Sequence, residues 1–446
     1  MAIAVAVSMA RAIVAGRLPR HVELTGPALW FATMLGTLGL IGALGGSSLG
    51  AYGFLAVWGL IFAARANSYC MLLMRAPVLW LMPAMALLST FWSQAPQASL
   101  RAAIELALTV AVSSLAAGLV RPRAFVSAIS VSLLFGAIAS LLFGRYGTDG
   151  ISQTVVFLGI FASKNTMAMF MSFQLIFGIA VLADRLQPPA LRWASVLSVV
   201  LSVPLLLKAH SAGALLTTVE SCVVMGGILA LAHMRHRERQ LILTCVIVVA
   251  IPVFILILML TLDGQLGSSA AAFLGMLGKD TTLTGRTVLW GIAENEIPKH
   301  PLLGVGYSAF WIQGNLLAEG IWRAFQIDSR MGFTFHDTYF EVTVELGLAG
   351  LAAFVFTMLL TVQRIVRLAL AHANLPTACL FTVVFCLATR SIGEVDIPYP
   401  FSFGTFLFFT IAAYGADHVR QRAPRYHNIF WRNLQIPARS IQNIEA

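Results

Sequence analysis

The chain has 446 residues, of which 59% are hydrophobic and only 11% charged, where ordinary soluble domains carry roughly a quarter charged residues. So little charge cannot cover a soluble surface. A soluble enzyme, a disordered chain and a nucleic-acid-binding domain are therefore excluded, even with a net charge of +10. The mean hydropathy of +0.84 and the apolar runs along almost the whole length point to a polytopic membrane protein, in which Lys and Arg set orientation.

A helix needs about 20 mostly apolar residues to cross the hydrocarbon core. In chain order, twelve runs qualify: near 27–45, 49–64, 76–92, 102–120, 124–142, 165–184, 190–207, 211–232, 240–262, 346–363, 375–391 and 400–417. The first 20 residues, with Arg11, Arg17 and Arg20 after an apolar start, lack the order of a cleaved signal and read as a cytoplasmic interfacial helix. The expected organisation is an interfacial N-terminus at 1–26, nine spans over 27–262, an outer loop at 263–345, three spans over 346–417 and a basic cytoplasmic tail at 418–446. With both termini cytoplasmic, 19 of the 29 basic residues fall inside, as the positive-inside rule requires.

The remaining cations stand out because topology gives no reason for positive charge on the outer side. All four lysines lie there, with Arg101, Arg286, Arg323, Arg330 and Arg390 among the arginines. Interfacial snorkelling accounts for any one of them; an outward-facing anion site accounts for them together. The five cysteines, Cys70, Cys222, Cys245, Cys379 and Cys386, fall in or beside apolar spans, so neither a disulfide framework nor a metal cluster is signalled.

The loop from Asp263 to Glu345 is the only extended polar stretch, and loops of that length are usually functional. Thr284-Gly285-Arg286-Thr287 leads into a short amphipathic segment, VLWGIAENEI, with Gly285 as a breaker and Thr284 or Thr287 as a cap. A glycine-rich turn follows at His300-Pro301-Leu302-Leu303-Gly304-Val305-Gly306-Tyr307. It lacks the third glycine of a dinucleotide fingerprint and the Gly-Lys-Ser/Thr of a P-loop. The stretch FTFHDTYFEVTVELGLAG then runs into the tenth span. If it is helical throughout, His336 and Phe340, like Asp337 and Glu341, are one turn apart and form a polar stripe. A neutral His336 there suits proton acceptance from a hydroxyl, although a capping or interfacial histidine fits the spacing equally. Arg286 offers a fork suited to phosphate oxygens, or else a salt bridge to Asp280 or Glu294. Gly347 and Gly350 let the span approach a neighbouring helix.

The order of these pieces resembles the O-antigen ligase and Wzy-type polysaccharide polymerase family. The carrying residues are Thr284–Thr287 with Trp290, the turn His300–Tyr307, and His336-Asp337 followed by Glu345-Leu346-Gly347-Leu348-Ala349-Gly350. Upstream, Ser89-Thr90-Phe91-Trp92-Ser93 with Ser99 and Arg101, Phe161-Ala162-Ser163-Lys164-Asn165, and His210-Ser211-Ala212-Gly213 occupy the places of further family motifs. The resemblance covers about residues 85–400. Gly278-Lys279-Asp280-Thr281-Thr282-Leu283-Thr284-Gly285-Arg286-Thr287 looks like the exopolysaccharide polymerase branch. Asp337 departs from the family's usual asparagine or small polar residue.

The resemblance implies an all-α, GT-C-like membrane glycosyltransferase that is metal-independent, inverting and without a cofactor. Its active site would be periplasmic, in the 263–345 loop, on the bacterial inner membrane. The donor would be a glycan on undecaprenyl pyrophosphate. The acceptor would be a second lipid-linked repeat unit in a polymerase, or lipid A-core in a ligase; other polysaccharide-assembly proteins would be its partners. Arg286 and His336 are then the expected catalytic residues, and Arg286, Lys164, Lys208 and Arg101 the pyrophosphate-binding cations. Tyr307, Asp337 and Arg390 are further candidates. A flippase or secondary transporter would share the spans, but such proteins place ionisable groups mid-membrane. Only Glu105 and Glu220 are candidates here.

Overall fold

A computed structural model describes residues 26–44, 48–64, 76–148, 155–235, 237–242, 285–327 and 333–422, with Leu73 alone between two of these stretches. The expected interfacial N-terminus, most of the basic tail and the expected ninth span at 240–262 lie largely or wholly outside them. So do Lys279, Asp280 and Arg330.

The described chain is a bundle of helices with one small hairpin. The helices are α1 (Gly26–Leu44), α2 (Ser48–Ala64), α3 (Leu81–Ser89), α4 (Pro96–Leu119) and α5 (Pro122–Phe143), followed by β1 (Arg145–Thr148) and β2 (Val155–Gly159). Then come α6 (Lys164–Ala183), α7 (Pro189–Lys208), α8 (Ala212–His233), α9 (Arg286–Glu296) and α10 (Leu316–Ala324). The chain closes with α11 (Thr338–Ala371), α12 (Leu375–Arg390) and α13 (Phe403–Arg422). Seven helices are long and apolar enough to cross a membrane, and three shorter apolar helices accompany them among the described residues. The protein is a multi-pass helical membrane protein.

Local sequence sets the helix starts. Proline occupies the first turn of α4, α5 and α7, where its missing N–H costs nothing and its fixed φ suits the helix. Ser163 and Asn374 cap α6 and α12 by accepting from Thr166 N and Thr377 N, each at 3.1 Å. Inside the spans, hydroxyls turn back on their own helix. Thr109 donates to Glu105 O at 2.8 Å, and Ser132 donates to Ala128 O at 2.9 Å. Hydrocarbon offers no water to satisfy them otherwise.

Short connections force neighbouring helices antiparallel, so the bundle has two distinct ends. At one end Arg123 Nε donates to Asp184 at 2.7 Å, and Tyr414 Oη donates to Val120 O at 2.7 Å. The other end carries α9, α10 and the glycine-rich turn. There a stack of Phe161, Phe170 and Phe403, with centroids 4.4 and 4.9 Å apart, floors the loops. A second core of Leu289, Val305, Phe310, Trp322, Phe335 and Val344 holds the loop together.

The junction of that loop with α11 corrects one expectation. Gly347 is not a helix–helix contact but a break in the helix, at φ 66 and ψ −169. Four backbone groups freed by the break pair with the glycine-rich turn. Val305 N donates to Val344 O at 3.0 Å and Gly306 N to Glu345 O at 2.8 Å, while Leu348 N donates to Pro301 O at 2.9 Å and Ala349 N to Leu302 O at 3.1 Å. A Cβ on Gly347 would stand 2.2 Å from the carbonyl carbon of Leu302, and one on Gly304 would stand 2.4 Å from that of Glu345. Backbone meets backbone here, which only glycine allows.

Candidate functional site

The segment before α11 does not continue the helix backwards. Asp337 is its N-cap, and its carboxylate accepts from Tyr339 N at 2.8 Å and Phe340 N at 2.9 Å. The expected stripe of His336 with Phe340 is therefore absent, because His336 lies outside the helix at φ 53. Such a left-handed conformation costs a non-glycine residue about 1–3 kcal/mol and persists where its surroundings over-determine it. Here Trp290 Nε1 donates to Phe335 O at 3.1 Å, and Glu341 Oε2 accepts from Phe335 N at 2.8 Å. His336 N also donates to Thr334 Oγ1 at 3.2 Å, and the ring meets Phe333 edge-on at 5.6 Å.

Arg286 is the first residue of α9, preceded by Gly285 at φ 76, which fills the capping position in place of either threonine. A cation at a helix N-terminus opposes the dipole, so it needs a compensating anion. Among the described residues that anion is Glu394 rather than Glu294; Asp280 lies outside them. Arg286 Nη2 donates to Glu394 Oε1, and the other oxygen, Oε2, lies 3.3 Å from Nδ1 of His336. The two expected residues are thus brought together by a third that sequence reading missed. Glu394 belongs to the connection between α12 and α13, 58 positions beyond His336. The side chains of Arg286, His336 and Glu394 are 25%, 25% and 16% exposed, so the cluster is shielded yet reachable.

The backbone around Glu394 is pinned from both sides. Its N–H donates to Arg390 O at 2.8 Å, and its carbonyl accepts from Thr338 Oγ1 at 2.8 Å, while Thr338 N donates to Ser391 O at 2.9 Å. Gly393 leaves space for the guanidinium, since a Cβ there would lie 3.1 Å from Arg286 Nη1. Burial alone would raise the Glu394 carboxyl. The hydrogen bond and charge of His336, with Arg286 and Arg390, outweigh it and hold the group below the ordinary carboxylate range. Glu394 is accordingly an anion and can only accept, so the Nδ1 facing it carries a proton in either state of the imidazole, and in the neutral form Nε2 is the nitrogen left with the lone pair.

The other expected residues divide. Arg390 is committed to structure: it is buried, with Nε 2.6 Å from Asp396 Oδ2, and this corrects its reading as an available cation. Tyr307 is buried and donates to Pro398 O at 2.9 Å. Burial, with the charge of Glu345 behind it, pushes the phenol well up and keeps it a donor. Asp337 caps the helix, as described. Arg101 is exposed and meets Glu105 at 2.9 Å. Lys164 opens α6 and Lys208 closes α7, at the loop end of the bundle. The early Ser89–Ser93 turn docks directly on the glycine-rich turn: Tyr307 N donates to Ser89 Oγ at 3.0 Å and Trp92 Nε1 to Leu303 O at 2.9 Å.

The motifs that lie far apart in sequence thus converge on one end of the bundle. The O-antigen ligase family model matches residues 197–355. The exopolysaccharide production protein ExoQ of Rhizobium meliloti (strain 1021) is 32% identical over 341 residues, 76% of each chain. The chain belongs to the O-antigen ligase and Wzy-type family. Family membership carries a membrane setting, lipid-linked glycan substrates and a glycosyltransferase-like activity. The matched span holds Arg286 and His336 but ends before Glu394. One signal could have exposed Glu394. It and Asp396 are the only carboxylates in the short outer connection between the last two apolar spans, on the side where the sequence shows an excess of cations.

Proposed function

We infer that this protein is a GT-C-like glycosyltransferase of the bacterial inner membrane that polymerises undecaprenyl-pyrophosphate-linked repeat units into exopolysaccharide at the periplasmic face. The observation carrying this reading is the Arg286–Glu394–His336 cluster, in which a guanidinium fork suited to phosphate and an imidazole suited to act as base share one carboxylate. Arg286 and the first-turn N–H groups of α9, which have no partner within the helix, receive the pyrophosphate of the donor. His336 Nε2 takes the proton of the acceptor hydroxyl as its oxygen attacks the anomeric carbon. The bond from that carbon to the pyrophosphate oxygen breaks, and its electron pair leaves with the polyprenyl pyrophosphate. One displacement inverts the anomeric centre and calls for one base, without a second carboxylate as nucleophile. Arg286 stabilises the charge that grows on the leaving group. Glu394 fixes the imidazole tautomer. Lys164 and Lys208, ending helices at the same end of the bundle, are the proposed cations for the second phosphate.

Polymerase is favoured by the Gly278–Thr287 segment and by the relative's description as an exopolysaccharide production protein. Ligase is the second reading, favoured by the description of the matching family model. Mass analysis of polyprenyl-pyrophosphate glycans from a strain lacking the gene separates them. Single repeat units on the carrier are expected. Long polymer stranded on the carrier beside bare lipid A-core would establish the ligase instead.

A further inference from the structure

At the loop end, Arg101 is held by Glu105, Arg390 by Asp396 and Arg286 by Glu394. Of these carboxylates, Glu394 alone is divided between a fork and an imidazole among the described ion pairs. Its allegiance is uneven. Arg286 Nη2 donates to one oxygen, whereas 3.3 Å from the other to His336 Nδ1 is at the long limit for a hydrogen bond. The Glu394 backbone is fixed at both its N–H and its carbonyl, so only rotation of the side chain can redistribute the carboxylate. Arg286 is gripped through Nη2, and its Nη1 lies over Gly393, where no side chain blocks a pivot. Among the described residues beside the cluster, Arg390 is paired with Asp396, Asp337 caps α11 and Glu341 accepts from Phe335 N.

We propose that Glu394 makes donor binding and base strength one exchange: an arriving pyrophosphate takes Arg286 from Glu394, and the released carboxylate closes on His336. Two anions compete for one guanidinium, so Glu394 opposes donor binding. The same displacement hands its full charge to the imidazole, which then accepts a proton more readily. The base is strengthened only while a leaving group is seated. Glu394 is thus a positioning residue acting through two others. The inference rests on the proposed roles of Arg286 and His336.

The test uses the full-length protein in lipid nanodiscs, wild type against Glu394→Gln. The binding probe is geranylgeranyl diphosphate, with geranylgeraniol as the diphosphate-free control, and turnover is measured with lipid-linked donor. Freed from competition worth one charged hydrogen bond, Glu394→Gln is expected to bind the diphosphate roughly tenfold tighter while kcat falls roughly a hundredfold. A merely structural role would weaken both together. Glu394→Asp, with a shorter arm, is expected to move both in the same directions by less, and it carries the test if the glutamine variant does not fold. Any other pairing of signs overturns the exchange. If wild type binds geranylgeraniol as tightly as the diphosphate, the role of Arg286 itself fails; if it prefers the diphosphate and neither variant binds tighter, the exchange alone fails.

Discussion

Arg286 and His336 act through geometry as much as charge, and conservative changes expose this. Arg286→Lys keeps the charge but replaces a planar fork with a point donor. A point donor cannot hold two phosphate oxygens in the geometry of the fork, so most turnover of the purified protein is expected to be lost; near-normal turnover would remove Arg286 from the site. His336→Ala is expected to lower kcat by about 10²–10⁴-fold, the range for a general base. A small loss confined to acceptor KM would leave His336 an orienting role only. Asp337 is a different case. Its contacts are two backbone N–H groups, and an asparagine oxygen accepts both equally well. Burial raises its carboxyl, an effect the N–H groups of Phe340 and Tyr339 and the charge of Arg286 only partly offset. The folded state therefore holds the Asp337 proton more tightly than the unfolded chain does. The resulting stability is present at low pH and lost as pH rises through the raised value. Asp337→Asn is accordingly expected to leave activity intact and the melting temperature at pH 7 unchanged or slightly higher. A large loss of turnover at unchanged stability would give Asp337 a chemical role.

At the scale of elements, the outer loop is ordered by what a broken helix leaves unsatisfied. The interruption at Gly347 frees backbone groups at the mouth of the bundle, where an unpaired group would be costly. The His300–Tyr307 turn fills them. That pairing fixes the height of the short helical segment Thr338–Leu346, whose first residue bonds both Ser391 and Glu394. Position therefore passes from the glycine turn through the half-helix to the carboxylate. Gly347→Ala adds a Cβ 2.2 Å from the backbone of Leu302 at a positive φ. Strain of that kind is worth about 1–3 kcal/mol before the clash is counted. The expected result is a lower melting temperature with loss of turnover. Gly291→Ala, where a Cβ meets nothing within 4 Å, is the matched control expected to keep both. Equal melting temperatures for the two variants would show that the break is not specified by this contact.

At the scale of the whole molecule, the bundle sorts its charges by end. The proposed orientation places the Arg286–Glu394–His336 end outward and the Arg123–Asp184 end inward. Single cysteines replacing exposed Lys299 and exposed Arg235, in an otherwise cysteine-free protein, test this with an impermeant maleimide on intact spheroplasts. Labelling at 299 and protection at 235 until the membrane is opened are expected. The reverse pattern would turn the molecule over and move the donor to the cytoplasmic side.

Periodic properties were legible in the sequence because they are sums over many residues. Apolar runs of span length predicted a multi-pass helical bundle, and apart from α9 and α10 in the outer loop the described helices fall where those runs stand, from α1 at Gly26–Leu44 to α13 at Phe403–Arg422. The excess of outer cations pointed to Arg286, and a histidine set just before the tenth span pointed to His336. The contact between them was not legible. Glu394 reaches Arg286 across 108 positions and His336 across 58, and no local period or spacing rule connects such distances. Whether a cation is available or committed depends on the partner that folding delivers: Arg390 looked available and is buried against Asp396. Gly347 likewise reads as a packing glycine until the turn that pairs with its broken helix is in place. The sequence by itself determined which segments enter the membrane and which residue types are on hand for chemistry. Only the tertiary structure decided which of them share a carboxylate, because that choice is made by backbone packing between segments far apart in the chain.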